Sequence, residues 1–254
     1  IDSNYRISEG TGRKIRELYH MGIPFILVSA RMPSGIFPLQ EELGIKAPIV
    51  CYSGALILDE NGGCVKTAGI GRKKAVLIDE FIKAEWRKVS CSAFCHNSWI
   101  VEDIRDKWVE QERDITSSVP EEGGISDFPL RSGQIHKFLC MGETGEISGL
   151  SRAMKEKFPE LSIYRSKDTY LEIMDGAVTK AGAVRHLCGM YGISIENSVS
   201  FGDNFNDVDM LLATGTSFAM GNAPEEVKQK AGNVTLDNDH EGVLTGLKQL
   251  HFTI

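Results

Sequence analysis

No apolar stretch in this 254-residue chain reaches the roughly 18 to 20 residues that a membrane-spanning helix needs. Residues 1–10, IDSNYRISEG, carry neither the basic region nor the apolar core of a secretory signal. The expectation is a soluble, cytoplasmic protein with no membrane partner. The six cysteines, at 51, 64, 91, 95, 140 and 188, form no C-x-x-C pair, which removes the common redox and zinc spacings. Embedded mostly in apolar runs, they read as free thiols of a reducing compartment, and no structural disulfide is expected. Positive charge is not in excess either: 28 Lys+Arg stand against 35 Asp+Glu, for a net charge of -7. With no basic stripe along the chain, a nucleic-acid partner is not expected. Internal repeats and low-complexity tracts are absent. What is present is an ordinary globular composition, 42% apolar and 25% charged, in a chain long enough for one large or two modest cored domains. Disordered and collagen-like readings fall away.

The hydrophobic pattern divides the chain into three parts. A helix is expected from Ser8 to about Met21, with Ser8 as N-cap and Gly22 as stop. The run Ile23–Val28 then reads as a strand buried on both faces, the signature of a parallel sheet. Pro33 to Leu43 reads as a helix, Pro48 to Tyr52 as a second buried strand, and Ala55 to Leu58 leads to a hairpin turn at Asn61-Gly62-Gly63. Beyond this turn the texture changes. A helix over Arg72–Val89, strands over Ser92–Phe94 and Trp99–Val101, a loop-rich stretch at 116–133, strands over Gln134–Cys140, Leu161–Tyr164 and Tyr170–Met174, and a helix over Glu146–Phe158 describe an α+β module. The last third alternates: helix Lys180–Tyr191, strand Ser198–Phe201, helix Asn206–Ala213, strand Ser217–Ala219, helix Pro224–Lys230, strand Asn233–Thr235 and a helix from Gly242. Such alternation argues for right-handed crossovers on a parallel sheet. The expected fold is α/β: a doubly wound, Rossmann-like parallel sheet built from residues 1–60 and 178–254, with residues 61–177 inserted as an α+β domain.

Three features carry candidate chemistry. In Val199-Ser-Phe-Gly-Asp203-Asn204-Phe-Asn206-Asp207-Val-Asp209, a strand ends, a glycine turns the chain, and carboxylates flank an asparagine where a helix begins. Ligands of open α/β sheets bind beyond the carboxyl ends of strands, and hard oxygen donors there suit Mg²⁺. An acidic helix N-terminus that merely complements the helix dipole is the plain alternative. Ser29, followed by Ala30 and Arg31, offers a hydroxyl and backbone N–H groups at a second strand end, where a phosphoryl oxygen could bind; small residues also end strands for steric reasons. Lys180 begins a helix, a place unfavourable for a cation unless an anion is near, although a solvated surface lysine would look the same.

Together these stretches resemble the motifs of the haloacid-dehalogenase-like phosphohydrolases, most closely the Cof-like group with a type IIB cap. Phe25-Ile-Leu-Val-Ser29-Ala-Arg31 is similar to the second motif, Thr179-Lys180-Ala-Gly182 to the third, and Phe201-Gly-Asp203-Asn204-Phe-Asn206-Asp207 to the G-D-x-x-N-D fourth. Cys51-Tyr-Ser53-Gly54-Ala55 resembles the N-G-A turn ahead of the cap, with Ser53 in place of the usual Asn. The resemblance implies a Mg²⁺-dependent phosphatase acting on a small phosphomonoester, such as a sugar phosphate, through an aspartyl-phosphate intermediate. It implies Lys180 and Asp203 as catalytic groups, Asp203 and Asp207 at the metal, and Ser29, Ala30, Lys180 and Asn206 at the phosphate. It also implies a first motif, D-x-D-G-T, just ahead of Asp2; the sequence as given lacks it, and the expectation is that the protein continues upstream. Asp2 and Asp59 do not replace it on any spacing argument. A phosphomutase of the same fold is the alternative within enzymes, and a non-catalytic phosphate-binding or regulatory protein is the alternative if the motif is truly missing. Cap residues such as His136 or Arg165 are candidates for specificity. The sequence is silent on the physiological substrate and on oligomeric state.

Overall fold

A computed structural model describes residues 1–4, 6–126 and 133–250. The expected loop-rich stretch at 116–133 falls partly outside the described residues. The chain separates into two compact units, one of Ile1–Ser29, Ile36–Gly63 and Thr179–Ile254, the other of Ala30–Gly35 and Cys64–Val178.

The first unit opens with the helix Glu9–His20, whose start is set by the Ser8 hydroxyl accepting from the Thr11 N–H at 3.1 Å. Ile15 and Leu18 lie one turn apart on its inner face and are buried with Leu43, Ile45 and Leu247. Removing each such side chain from water contributes about 1.5–3 kcal/mol. The expected six-residue strand at 23–28 shortens to Leu27–Val28, parallel to Ile49–Cys51, and both residues are only half-buried. Pro24 has no N–H to give a ladder, and Ile23 and Phe25 pack toward the helix cluster instead. Ile49–Cys51 in turn pairs antiparallel with Leu56–Leu58, and all six residues are buried. A second sheet of this unit is wholly parallel: Val199–Gly202, Thr216–Ala219 and Asn233–Val234, in that order. The α/β core with parallel strands expected from the sequence is present, its described strands falling into two sheets in this unit. Phe201 and Leu27, one from each, border the same apolar cluster.

Other expected elements change at their ends. Pro33–Leu43 divides into a 3₁₀ turn at Pro33–Gly35 and a helix at Phe37–Leu43. Tyr52 leaves its strand for a tight turn, and Asn206–Ala213 divides into a 3₁₀ turn, Phe205–Asp207, and a helix, Val208–Ala213. The helix from Arg72 stops at Glu85.

The second unit is a sheet, antiparallel except for the edge strand Glu121–Glu122, backed by two helices, Arg72–Glu85 and Thr144–Lys157. Strand Lys137–Met141 lies between Tyr170–Asp175 and Ser90–Cys95. Alternate residues, among them Phe138, Cys140, Ile173 and Ala93, enter one core with Ile78, Ile82, Leu150 and Met154 of the helices. On the opposite face Lys137 pairs with Glu172 at 3.4 Å and donates to the Ala30 carbonyl at 3.3 Å. The Ser34 N–H likewise donates to Asn97 Oδ1 at 2.8 Å, so Ala30–Gly35 is bonded to the rest of the second unit at two points.

Candidate active site

Strand Val199–Gly202 ends where Asn204, in extended conformation, caps the turn Phe205–Asp207. The Asn204 side chain accepts from the Phe205 N–H at 2.8 Å, while Asp207 Oδ2 accepts from the N–H groups of Asp203 and Asn204, each at 3.0 Å. Gly202 is required here, because a Cβ on it would stand 2.5 Å from the Asp207 Cβ. The backbone is thereby folded around the Asp207 carboxylate, which is buried.

The second oxygen of that carboxylate, Oδ1, accepts from Lys180 Nζ. Lys180 is only 6% exposed, which excludes the surface-lysine reading and supplies the anion that a cation at a helix start calls for. Its helix is shaped by Thr179, whose hydroxyl accepts from the Gly182 N–H at 3.0 Å, and by Asp209, whose carboxylate accepts from the Ala181 N–H at 2.9 Å. Asp209, on the next helix, therefore fixes the backbone right after Lys180. The sequence marked it only as part of an acidic run.

Asp203 is the exposed member of the cluster. One of its oxygens accepts from the Asn222 side-chain amide at 3.2 Å. Asn222 was not singled out in the sequence, because it lies after the next strand and only the parallel pairing Gly202–Ala219 brings the two loops side by side. Asn206 is half-buried in the same turn, one residue from Asp207.

Ser29 sits at the end of its strand, its N–H bonded to the Val50 carbonyl and its own carbonyl accepting from the Ser53 N–H, both at 2.9 Å. Residues Tyr52, Ser53 and Gly54 are all left-handed, with φ of 50°, 53° and 113°. The glycine is obligatory twice over, since a Cβ on Gly54 would stand 2.4 Å from the Thr179 carbonyl oxygen. This turn therefore connects the Ser29 strand end to the residue before Lys180. Ala30, the next residue after Ser29, is half-buried and held through its carbonyl as described above.

The remaining candidates take other roles. Asp2 accepts from the N–H groups of Asn4 and Arg6, and Asp59 from those of Asn61 and Gly63, so each carboxylate shapes a turn. His136 is fully buried in the second unit; its Nε2 is 2.9 Å from the Thr67 hydroxyl and its Nδ1 accepts from the His96 N–H at 3.0 Å. Burial, with the neighbouring His96, pushes its pKa down to about 3. Arg165 reaches the Ser148 hydroxyl at 2.9 Å on an exposed edge. All six cysteines are free thiols. Among the described residues, no three His, Cys, Asp or Glu side chains are placed to hold a metal ion, and no helix is long and apolar enough to cross a membrane.

Comparison with known proteins places the chain in a family. The model for haloacid dehalogenase-like hydrolases matches residues 1–247. A Haemophilus influenzae protein with a provisional phosphatase designation is 38% identical over 249 residues, covering 98% of this chain and 93% of its own length. The 5-amino-6-(5-phospho-D-ribitylamino)uracil phosphatase of Bacillus subtilis is 24% identical over 251 residues, covering 98% and 90%. Among solved structures, protein TM0651 of Thermotoga maritima superposes with a TM-score of 0.89 at 25% identity, over 100% of this chain and 94% of that one. The chain belongs to the haloacid dehalogenase-like hydrolases, the family whose second, third and fourth motifs its residues at 29, 180 and 203–207 resemble.

Proposed function

We propose that this protein dephosphorylates a small phosphomonoester, a sugar phosphate or similar metabolite, with Mg²⁺ as cofactor and in the cytoplasm. As a member of its family it is a phosphoric monoester hydrolase. One observation carries the finer reading: a buried ammonium group, Lys180, is locked to Asp207, and the same carboxylate folds the backbone of Asp203 and Asn204 around itself at a strand end. The phosphorylated small molecule in the name of the Bacillus subtilis relative supports the substrate class.

The donor chemistry fits a hard divalent ion at Asp203. Its carboxylate is exposed and has one oxygen engaged by a neutral amide, whereas both Asp207 oxygens are already taken by Lys180 and by two N–H groups. Asp203 would therefore be the direct ligand, and Asp207 would support it by fixing the peptide that carries it. When bound, Mg²⁺ would supply charge neutralisation at the phosphoryl oxygens. Lys180 would lower the repulsion between an incoming dianion and a carboxylate nucleophile, while the Ser29 hydroxyl, the Ala30 N–H and the Asn206 amide would orient phosphoryl oxygens. Positioning and electrostatics of this kind are the main requirements of phosphoryl transfer. Residues 61–177 are proposed to act as the cap that excludes water and contacts the leaving group.

The test is turnover of a generic aryl phosphate with Mg²⁺ and with a chelator present, followed by a panel of phosphorylated sugars, nucleotides and cofactors. Release of inorganic phosphate that stops on chelation is expected. Turnover that survives chelation would remove the metal from the reading. Isomerisation of a sugar phosphate without phosphate release would replace hydrolysis by mutase chemistry.

A further inference from the structure

We propose that the Ser53 hydroxyl is an additional hydrogen-bond donor to the phosphoryl group. The inference rests on the phosphate-binding reading of Ser29 and Lys180. Ser53 is only 4% exposed, and its Oγ has no hydrogen-bond partner. A buried hydroxyl left unpaired is destabilising, and alanine at the same place would avoid that cost.

Among the described residues, unpaired buried polar atoms occur elsewhere at Trp86, Ser92, Trp99, Glu112 and Gln134, but all of these lie in the second unit. Ser53 differs in where its backbone is held. Its N–H donates to the Ser29 carbonyl at 2.9 Å, and its neighbour Gly54 abuts the Thr179 carbonyl just before Lys180. The hydroxyl thus belongs to a turn that touches both the strand end of Ser29 and the start of the Lys180 helix.

The conformation adds a second mark. Tyr52 and Ser53 are both left-handed and neither is glycine, a strained arrangement that persists only where the surroundings impose it. In this conformation the Ser53 N–H holds the Ser29 carbonyl, and that bond orients the peptide between Ser29 and Ala30. In a trans peptide the N–H points opposite to the C=O, so pinning the Ser29 carbonyl fixes the direction of the Ala30 N–H. Ser53 would therefore serve the same anion twice, setting one donor through its backbone and supplying another through its side chain. A phosphoryl dianion satisfies the hydroxyl, and a hydrogen bond to a charged acceptor is among the stronger kinds.

The experiment measures inorganic phosphate binding by calorimetry, in the presence of Mg²⁺, together with the melting temperature, for the full protein and its Ser53→Ala variant. The expected result is affinity for phosphate weaker by about tenfold, one charge-assisted bond, with a melting temperature unchanged or raised. Ser53→Asn, which tolerates the left-handed backbone and supplies an amide donor, is expected to recover most of the affinity. Equal phosphate affinity in wild type and Ser53→Ala overturns the inference and leaves the site reading standing. No phosphate binding by the wild type overturns the site reading itself, and the inference with it. If Ser53→Ala does not fold, Ser53→Gly, which relieves the backbone and also lacks the hydroxyl, takes its place; failure of both to fold makes the hydroxyl structural and overturns the proposal.

Discussion

Asp203 and Asp207 are neighbours in one short turn, yet the fold makes them chemically unlike. Asp203 is exposed and touches a single amide, so Asp203→Asn is expected to abolish Mg²⁺-dependent turnover while shifting unfolding free energy by less than about 0.5 kcal/mol. Asp207 is buried and carries an ion pair and two N–H bonds. Asp207→Asn leaves the Lys180 charge buried without its counter-ion and is expected to cost about 3–5 kcal/mol. Urea unfolding of the two variants side by side checks the contrast. Equal stability losses would mean that the two carboxylates share one role. Lys180→Ala is expected to lose stability as well as activity, since it strands the Asp207 carboxylate in turn.

The turn Tyr52–Gly54 is the element on which the arrangement of separate chain segments depends. It is bonded to Ser29 on one side and packed on Thr179 on the other, which sets the strand end and the lysine helix against a common support. Gly54→Ala brings a Cβ to 2.4 Å from a carbonyl oxygen at a φ of 113°, so the turn and Thr179 must part. The expected outcome is a loss of about 1–3 kcal/mol in stability and a fall in kcat larger than any change in KM, because the donors are displaced relative to one another. Steady-state kinetics on the folded variant test this; wild-type kcat would show that the turn is only a connector.

For the whole molecule, acid stability reports on His136. Its folded pKa, about 3, lies below the ordinary histidine value of about 6.5, so between these values the unfolded chain takes up a proton that the folded chain excludes. Stability therefore falls as pH drops below 6.5, by about 2 kcal/mol at pH 5, from the cost of charging a buried ring. His136→Gln is expected to flatten the stability profile between pH 6.5 and 5, above the range where carboxylates dominate. An unchanged slope in that variant would assign the acid sensitivity to other groups.

The order of helices and strands, the inserted α+β part and the motifs were legible in the sequence because each depends on local pattern: apolar periodicity, capping residues and the spacing of Asp203, Asn206 and Asp207. The helix at Lys180–Tyr191 is one case, and the structure gives it the same bounds, with Thr179 capping one end and a left-handed Gly192 ending the other. What the sequence could not decide is who faces whom. That Asn222 reaches Asp203 depends on parallel strand pairing, and that Lys180 is buried against Asp207 while Asp209 accepts from the Ala181 N–H depends on the packing of the Lys180 helix against the turn and helix that follow Gly202. Residues far apart in the chain become partners only when the packed sheet brings their loops together, and burial then decides which carboxylate is an internal counter-ion and which stays open to bind.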